Sequence, residues 1–586
     1  MHTVQENDPS NLLQRLIGLQ QAFRHIPSDA IDHLAESLGL SRAFILGVIQ
    51  FYSFLHSSPR GEYDILFSDN ITDQMQGSRL LAQRLVSKLG VDIGRTRDDR
   101  RVTLDYTSCT GMGDQGPAAL VNGHPITRLT MERVDQLAAL IEQAVPLDNW
   151  PAELFQVSAG VERRDIVLNS DYKPGTAILR CLEEGAEELL RRLEQAGLRG
   201  CGGAGFSTAK KWRFCASTES AERYVVCNAD EGEPGTFKDR YLLQAHADRL
   251  FEGMTLCAAV IGARRGFLYL RGEYRYLLGP LQQILQQRRE NSLLGQAILG
   301  RDGFDFDIDI HLGAGAYICG EESALIESLE GKRGIPRNRP PFPVTQGYLG
   351  MPTVVNNVET LANAALIAQQ GAEWFRSVGT AQSPGSKLLS ISGDCERPGI
   401  YEFPFGTPIS EILAACQAHH TQAVQIGGAA GRLIPPAEFN RTLAFEDLAT
   451  GGSFMVFNQS RELLNAIDNF TRFFRHESCG FCTPCRVGTA MLTKQLGKVM
   501  VGHATSKDLD ELGTLGSLMR QTSHCGLGQT AANPILDGLE KFPDIFQSRL
   551  RSTSFEPAFD LDASLEEARA ITGRSDPGAH LEGGGV

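Results

Sequence analysis

The sequence lacks a basic excess. Its 586 residues carry 56 Lys and Arg against 70 Asp and Glu, a formal net charge of −14. A polyphosphate would meet a repulsive average field, so no nucleic acid partner is expected. Long apolar runs are missing too: the most apolar windows, such as residues 256–270, are interrupted by Arg264 and Arg265. They fall short of the ~18 residues that a membrane span needs. The opening MHTVQENDPS has no basic segment before an apolar one, so no export signal is expected and the expected location is cytoplasmic. The thirteen cysteines are an odd number, which argues against a disulfide framework. What remains is 42% hydrophobic and 22% charged, the composition of a globular protein of several domains.

The fold class expected is a multidomain α/β protein. Helical periodicity runs through residues 11–55, with Ser28 and Asp29 placed to cap one helix and Ser41 the next. Strand-like runs (YDILFS, RVTLDY, AALVNG) then alternate with helices, giving a small α/β unit, so that residues 1–145 form a first domain. Residues 146–175, with Pro146, Pro151 and Pro174, read as a linker. Residues 176–380 alternate helices with apolar strands such as YVVCNAD and RGFLYLRG. Residues 381–457 give short strands around one helix, a β-grasp pattern, and residues 458–550 return to helix. Residues 551–586, with Asp576-Pro577-Gly578 and Gly583-Gly584-Gly585, read as a disordered tail.

Cysteines crowd the last fifth of the chain. Cys479, Cys482 and Cys485 form C-x2-C-x2-C, and Cys525 follows forty residues on as the candidate fourth ligand. Repeated C-x2-C spacing is the pattern of a [4Fe–4S] site, whereas zinc usually takes paired knuckles or Cys/His mixtures. His524 is then expected as a neighbour or structural group, because four thiolates already fill the site. Cys227, Cys257 and Cys319 lie in apolar contexts and are expected in the core.

A second signal is GLRGCGGAGFSTAKKW, in which Gly200, Gly202 and Gly205 satisfy G-x-G-x-x-G. A Rossmann loop must follow a strand, but the preceding EEGAEELLRRLEQAG is helical, so the match fails its context. Five glycines within residues 197–205 still exceed what a helix cap needs, and close approach of the backbone to a ligand explains them. The polar bursts after YVVC and in GAGAYICGEES point the same way, with carboxamides and carboxylates suited to sugar hydroxyls and a heterocycle.

Together GLRGCGGAGFSTAKKW, YVVCNADEGEPGTFKDR, GAGAYICGEESALIESLEG with RPPFPVTQGYLGMPTVVNNVETLAN, and ESCGFCTPCR with Cys525 resemble the flavin- and NADH-binding subunit of respiratory complex I and its soluble relatives. The resemblance implies a Rossmann-like domain holding FMN and NAD(H) in one cavity, a β-grasp module, and a helical bundle carrying the [4Fe–4S] cluster. Carried onto this chain, it assigns FMN to Gly200, Gly202, Gly203, Lys211, Asn228, Asp230, Glu231, Tyr317, Gly320, Glu321, Val355, Asn356, Asn357 and Thr360. Lys211 would face the phosphate. NADH would stack among Phe206, Phe214 and Phe342, with Glu233 and Glu322 near its polar groups. Those carboxylates disfavour a 2′-phosphate and favour NAD over NADP. Cys201 and Arg339 depart from the family's usual Arg and Lys, and Arg339 keeps the charge as a planar fork. No side chain is expected to act as nucleophile or obligatory acid, because the flavin carries the chemistry.

Residues 11–144 resemble the small thioredoxin-like [2Fe–2S] subunit of the same complex. The four ligand positions read Ser68, Asp73, Cys109 and Gly113, so no [2Fe–2S] cluster is expected and the implied role is docking. This fused arrangement most resembles the diaphorase subunits of soluble NAD-reducing [NiFe] hydrogenases, which implies an iron–sulfur electron-transfer subunit and a NiFe pair as partners. The diaphorase subunit of an NAD-dependent formate dehydrogenase, a complex I-type subunit, and a non-catalytic scaffold are the alternatives.

Overall fold

The computed structural model describes residues 8–551 and 561–574. At its centre lies a four-stranded parallel sheet in the order Thr353–Asn357, Tyr224–Ala229, Arg265–Leu270, Asp307–Leu312. Its strands read as near-continuous apolar runs because both faces are covered, as parallel sheets require. Val225, Cys227, Leu268 and Leu270 face one core with the helices Ala247–Ile261 and Val358–Gln370. Tyr224, Val226, Phe267 and Tyr269 point the other way, as the period of two dictates. Cys227 and Cys257 on the first side and Cys319 on the second are fully buried.

The layer over that second face comes from the far end of the chain. Helices Leu12–Phe23, Ser28–Leu38 and Arg42–Phe51 place Leu12, Leu16, Ile45 and Ile49 in the same core as Phe267, Leu325 and Tyr269. The periodicity in residues 11–55 therefore serves the central sheet and not the strands that follow it. Ser41 caps its helix, its hydroxyl accepting from the Phe44 N–H. Ser28 and Asp29 do not cap theirs: Pro27 occupies that position, and Ser28 is already helical.

The strands after residue 60 form a five-stranded sheet in the order Arg95–Thr96, Val102–Thr107, Tyr63–Ser68, Ala119–Val121, His124–Ile126, mixed in direction. Helices Ser78–Leu89 and Met131–Glu142 complete its own core with Ile65, Phe67, Leu85 and Leu137. The third sheet has six strands, with Ser386–Gly393, Gly399–Pro404 and Ser453–Asn458 around the helix Ile409–Ala415. Its edge strand, Val161–Arg163, comes from the proline-rich stretch that the sequence presents as a linker. Helices Leu463–Glu477, Thr483–Met500 and Ser506–Thr522 follow. Beyond them Leu561–Thr572 is a helix within the stretch expected to be disordered. Asp576, Pro577, Gly578 and the last glycines lie outside the described residues. Among the described residues no single helix is long and apolar enough to cross a membrane.

Candidate functional site

A cleft of about 490 Å3 opens at the C-terminal end of the central strand Tyr224–Ala229, where parallel sheets present their ligands. Four segments build it. The glycine loop contributes Gly202 and Gly203, the strand end Asn228, Asp230, Glu231 and Glu233, the next crossover Tyr317, Gly320 and Glu321, and the neighbouring strand Asn357. The glycine loop runs from one helix to the next, Ala186–Ala196 to Thr208–Ser217, and is closed by the Gly200 N–H donating to the Phe206 carbonyl at 2.9 Å. A Cβ at Gly202 would stand 3.2 Å from Cβ of Asn357, a tight contact, so glycine lets the loop lie close against that wall. Gly203 sits at φ +128°. Among the described residues the N–H groups of Gly202, Gly203 and Ala204 donate to nothing in the protein. That leaves a row of donors of the kind that cradles a phosphate.

The wall also contains acceptors with unmet demand. Oδ2 of Asp230 is buried with no hydrogen-bond partner, and burial pushes its carboxyl up to about 8. Glu233 is pushed up to about 7 by burial, although it accepts from the Tyr317 hydroxyl and the Ala430 N–H. Asn228 spans the cleft floor, its amide donating to the Gly320 carbonyl at 2.8 Å. Glu321 caps the helix Glu322–Leu329 through the N–H groups of Ser323 and Ala324, and its other oxygen lies 3.3 Å from Arg339. An orphaned buried carboxylate oxygen beside a free backbone nest fits a ligand with hydroxyls at one end and a phosphate at the other. FMN is such a molecule.

Other residues picked out by sequence lie behind this wall. Lys211 donates to Glu322 and to the Val355 carbonyl, both at 2.7 Å. The Asn356 side-chain Oδ1 accepts from the Trp212 indole N–H at 2.8 Å, and the Thr360 hydroxyl accepts from the Cys201 N–H at 2.9 Å. Both steady the loop from inside. Glu231 lines the cleft but spends its carboxylate on the N–H groups of Asp239 and Arg240 and the hydroxyl of Tyr274. Phe206, Phe214 and Phe342 are about half exposed, at 51%, 51% and 50%, and no ring pair forms among them. Cys201 turns its thiol inward toward Asn363, where burial pushes it up to about 12.

Two contributors escaped sequence reasoning. Gly427, Ala430 and Gly431, with Thr450 and Gly451, bring the β-grasp module up as the far wall. A Cβ at Gly428 would fall 2.3 Å from Glu233. The glycine clusters GGAAG and TGG were the available signal. Glu477 is the other: its two oxygens accept from Ser108 in the five-stranded sheet's loop at 2.6 Å and from the Tyr317 N–H at 3.0 Å.

Directly beyond Glu477, Cys479, Cys482, Cys485 and Cys525 line one small cavity together with Ser478 and His524. Cys482 and Cys525 stand at the N-cap positions of the helices Thr483–Met500 and Gly526–Thr530. Burial pushes the Cys485 thiol up to about 11, so its thiolate needs a positive centre beside it, as iron supplies. His524 is engaged elsewhere, its Nε2 lying 3.2 Å from the Pro336 carbonyl and its ring edge-on to Phe481. Ile318 and Leu527 line both this cavity and the flavin-sized cleft.

The N-terminal positions behave differently. The Ser68 hydroxyl donates to Asp73 at 2.7 Å, whose other oxygen accepts from the Ala118 N–H, and burial pushes Asp73 up to about 7. Cys109 accepts from the Asn70 amide and the Gly111 N–H, and Gly113 packs near Phe237. The loop is gripped from the central domain, Arg240 pairing with Asp114 at 2.8 Å and Arg271 donating to the Cys109 carbonyl at 2.8 Å.

A parallel-sheet cleft fitted for flavin, walled against a four-cysteine cavity, defines a flavin and iron–sulfur NAD(H) oxidoreductase subunit. The chain carries a Nuo51 FMN-binding domain over residues 193–366, an NADH-ubiquinone oxidoreductase-F iron-sulfur binding region over 465–549, and a thioredoxin-like [2Fe-2S] ferredoxin domain over 1–142. Within that class it belongs to the family of NAD-reducing hydrogenase alpha subunits. It is 44% identical over 574 residues to the NAD-reducing hydrogenase HoxS subunit alpha of Cupriavidus necator, covering 95% of each chain. An NADH-quinone oxidoreductase chain of Rhizobium meliloti is 40% identical over 61% of this chain and 87% of that one. The crystal structure of an NAD+-reducing [NiFe]-hydrogenase in the H2-reduced state superposes with a TM-score of 0.91 at 43% identity, covering 98% of this chain and 100% of that one.

Proposed function

We propose that this chain is the diaphorase subunit of a cytoplasmic NAD-reducing hydrogenase, passing electrons between NAD(H) and partner subunits that oxidise H2. The observation that carries the reading is the common wall of Ile318 and Leu527 between cleft and cysteine cavity, across which FMN and the cluster would lie side by side. FMN would be held by the nest at Gly202 and Gly203 and by Asn228, Asp230, Tyr317, Gly320, Glu321 and Asn357. Gly200, Lys211, Glu231, Val355, Asn356 and Thr360 would support them. When bound, FMN supplies hydride exchange with nicotinamide and single-electron exchange with the cluster. NAD(H) would stack among the half-exposed Phe206, Phe214 and Phe342, with Glu233 and Glu322 near its polar groups disfavouring a 2′-phosphate and Arg339 held beside Glu321 and Glu322. Cys479, Cys482, Cys485 and Cys525 would ligate the [4Fe–4S] cluster. The N-terminal sheet would serve docking, a role supported by the Arg240 and Arg271 contacts to its 109–114 loop.

Purified protein should show flavin absorbance and NADH-driven reduction of ferricyanide, and Cys482→Ser should abolish the EPR signal of the reduced cluster while flavin stays bound. Co-purification should bring down an iron–sulfur subunit and a NiFe pair. A molybdenum formate dehydrogenase in their place would overturn the hydrogenase assignment.

A further inference from the structure

Away from the cofactor cleft, a second cavity of about 110 Å3 lies where three parts of the chain meet. The N-terminal helices supply Arg24 and His56, the five-stranded sheet supplies Asp64 and Asn122, and the central domain supplies Arg275. With Arg60 added, three arginines face a single aspartate. That aspartate is already spent, since Arg60 donates to Asp64 at 2.8 and 3.2 Å and reaches Asp105 at 3.4 Å. Arg24 and Arg275 have no carboxylate partner among the described residues.

The two guanidinium groups are close enough to matter to each other. Burial, and then Arg24, push Arg275 below its usual range. Burial and then Arg60 push His56 down against Asp64 and Asp105, and burial and then Arg275 push the neighbouring His124 down against Asp148. Arg24 is held in a left-handed conformation at φ +60°, with its carbonyl accepting from the Gln20 amide at 3.0 Å and the Arg60 N–H at 3.2 Å. Unpaired like charges in a partly dry cavity are unfavourable unless something of opposite sign joins them.

We propose that this junction is a binding site for a small oxyanion, with Arg24 and Arg275 as its clamps. A cavity of roughly 150 Å3 accommodates benzene, so this one takes a ligand about the size of inorganic phosphate or a short-chain carboxylate. The surrounding Ile17, Phe54, Leu120 and Leu312 would receive the apolar end of a carboxylate. An anion here would bridge all three parts, and Leu312 leads within a few residues to Tyr317 and Ile318 of the cofactor cleft.

The test is calorimetric titration and thermal unfolding of the full-length holoprotein with inorganic phosphate, with propionate, and with chloride at matched ionic strength. One phosphate or one propionate per chain should bind with a dissociation constant on the order of 1 mM and raise the melting temperature, while chloride does neither. Response to phosphate alone or propionate alone identifies the source. Arg275→Met and, separately, Arg24→Gln should weaken binding at least tenfold. Unliganded, each should melt no lower than the parent protein, because a repulsion has been removed. Absence of binding by both oxyanions, or binding unchanged in both variants, overturns the proposal.

Discussion

Asp230 shows how much of the cleft's chemistry rests on a single unmet oxygen. Its carboxyl titrates near 8 because burial disfavours the anion, with Arg271 only partly opposing. A carboxyl whose folded value exceeds its unfolded value near 3.8 binds more protons in the folded state between those limits, so its ionisation erodes stability as pH rises from about 4 to about 8. In flavin-free protein, Asp230→Asn should flatten that decline, as read by urea unfolding across the range, and an unchanged slope would count against the assignment. Behind the glycine loop, Glu359 pairs with Lys238 at 2.8 Å and with Lys387, which also donates to the Cys201 carbonyl at 3.1 Å. Burial pushes the Glu359 carboxyl up, and the two ammonium groups more than offset it. Glu359→Gln leaves Lys387 without its carboxylate partner and Lys238 with Asp239 and Glu231, which should cost about 3–5 kcal/mol and lower flavin per chain in the purified protein.

Among the elements, the connector is the one whose role changes most. Glu402, fully buried, accepts from the N–H groups of Asp165, Val167 and Leu168 and from the Ser386 hydroxyl. Glu402→Ala would orphan three N–H groups, and at about 1–3 kcal/mol for each unsatisfied group the variant should lose several kcal/mol in denaturant titrations. Faster hydrogen exchange across residues 161–168 should accompany that loss. No pattern in the sequence announces this clasp, because a three-residue edge strand carries too little periodicity and its partner lies more than two hundred positions away. Local signals fared better. The strands Tyr224–Ala229 and Arg265–Leu270 were legible as largely apolar runs, and the cysteine spacing brought three thiols to one helix start. The helix ahead of the glycine loop was enough to reject a Rossmann turn. The β-grasp wall of the cleft was not legible, since Gly427–Gly431-type clusters look like any turn until the fold sets them opposite Glu233.

At the scale of the whole molecule, the chain is interlocked rather than strung together. The N-terminal helices cover one face of the central sheet, so deleting residues 1–60 would expose Phe267, Tyr269, Leu325 and their neighbours. At about 25 cal/mol per Å2 of apolar surface such a face cannot stand in water, and the truncated chain should appear in the insoluble fraction where the parent is soluble. Soluble, monodisperse truncated protein on gel filtration would contradict this packing. The same interlocking gives the pair Ile318 and Leu527 a second meaning. They form an aliphatic partition, drawn from segments some two hundred residues apart, with one chamber on either side. Two shared side chains leave only a short path for an electron between the groups that the two chambers would hold.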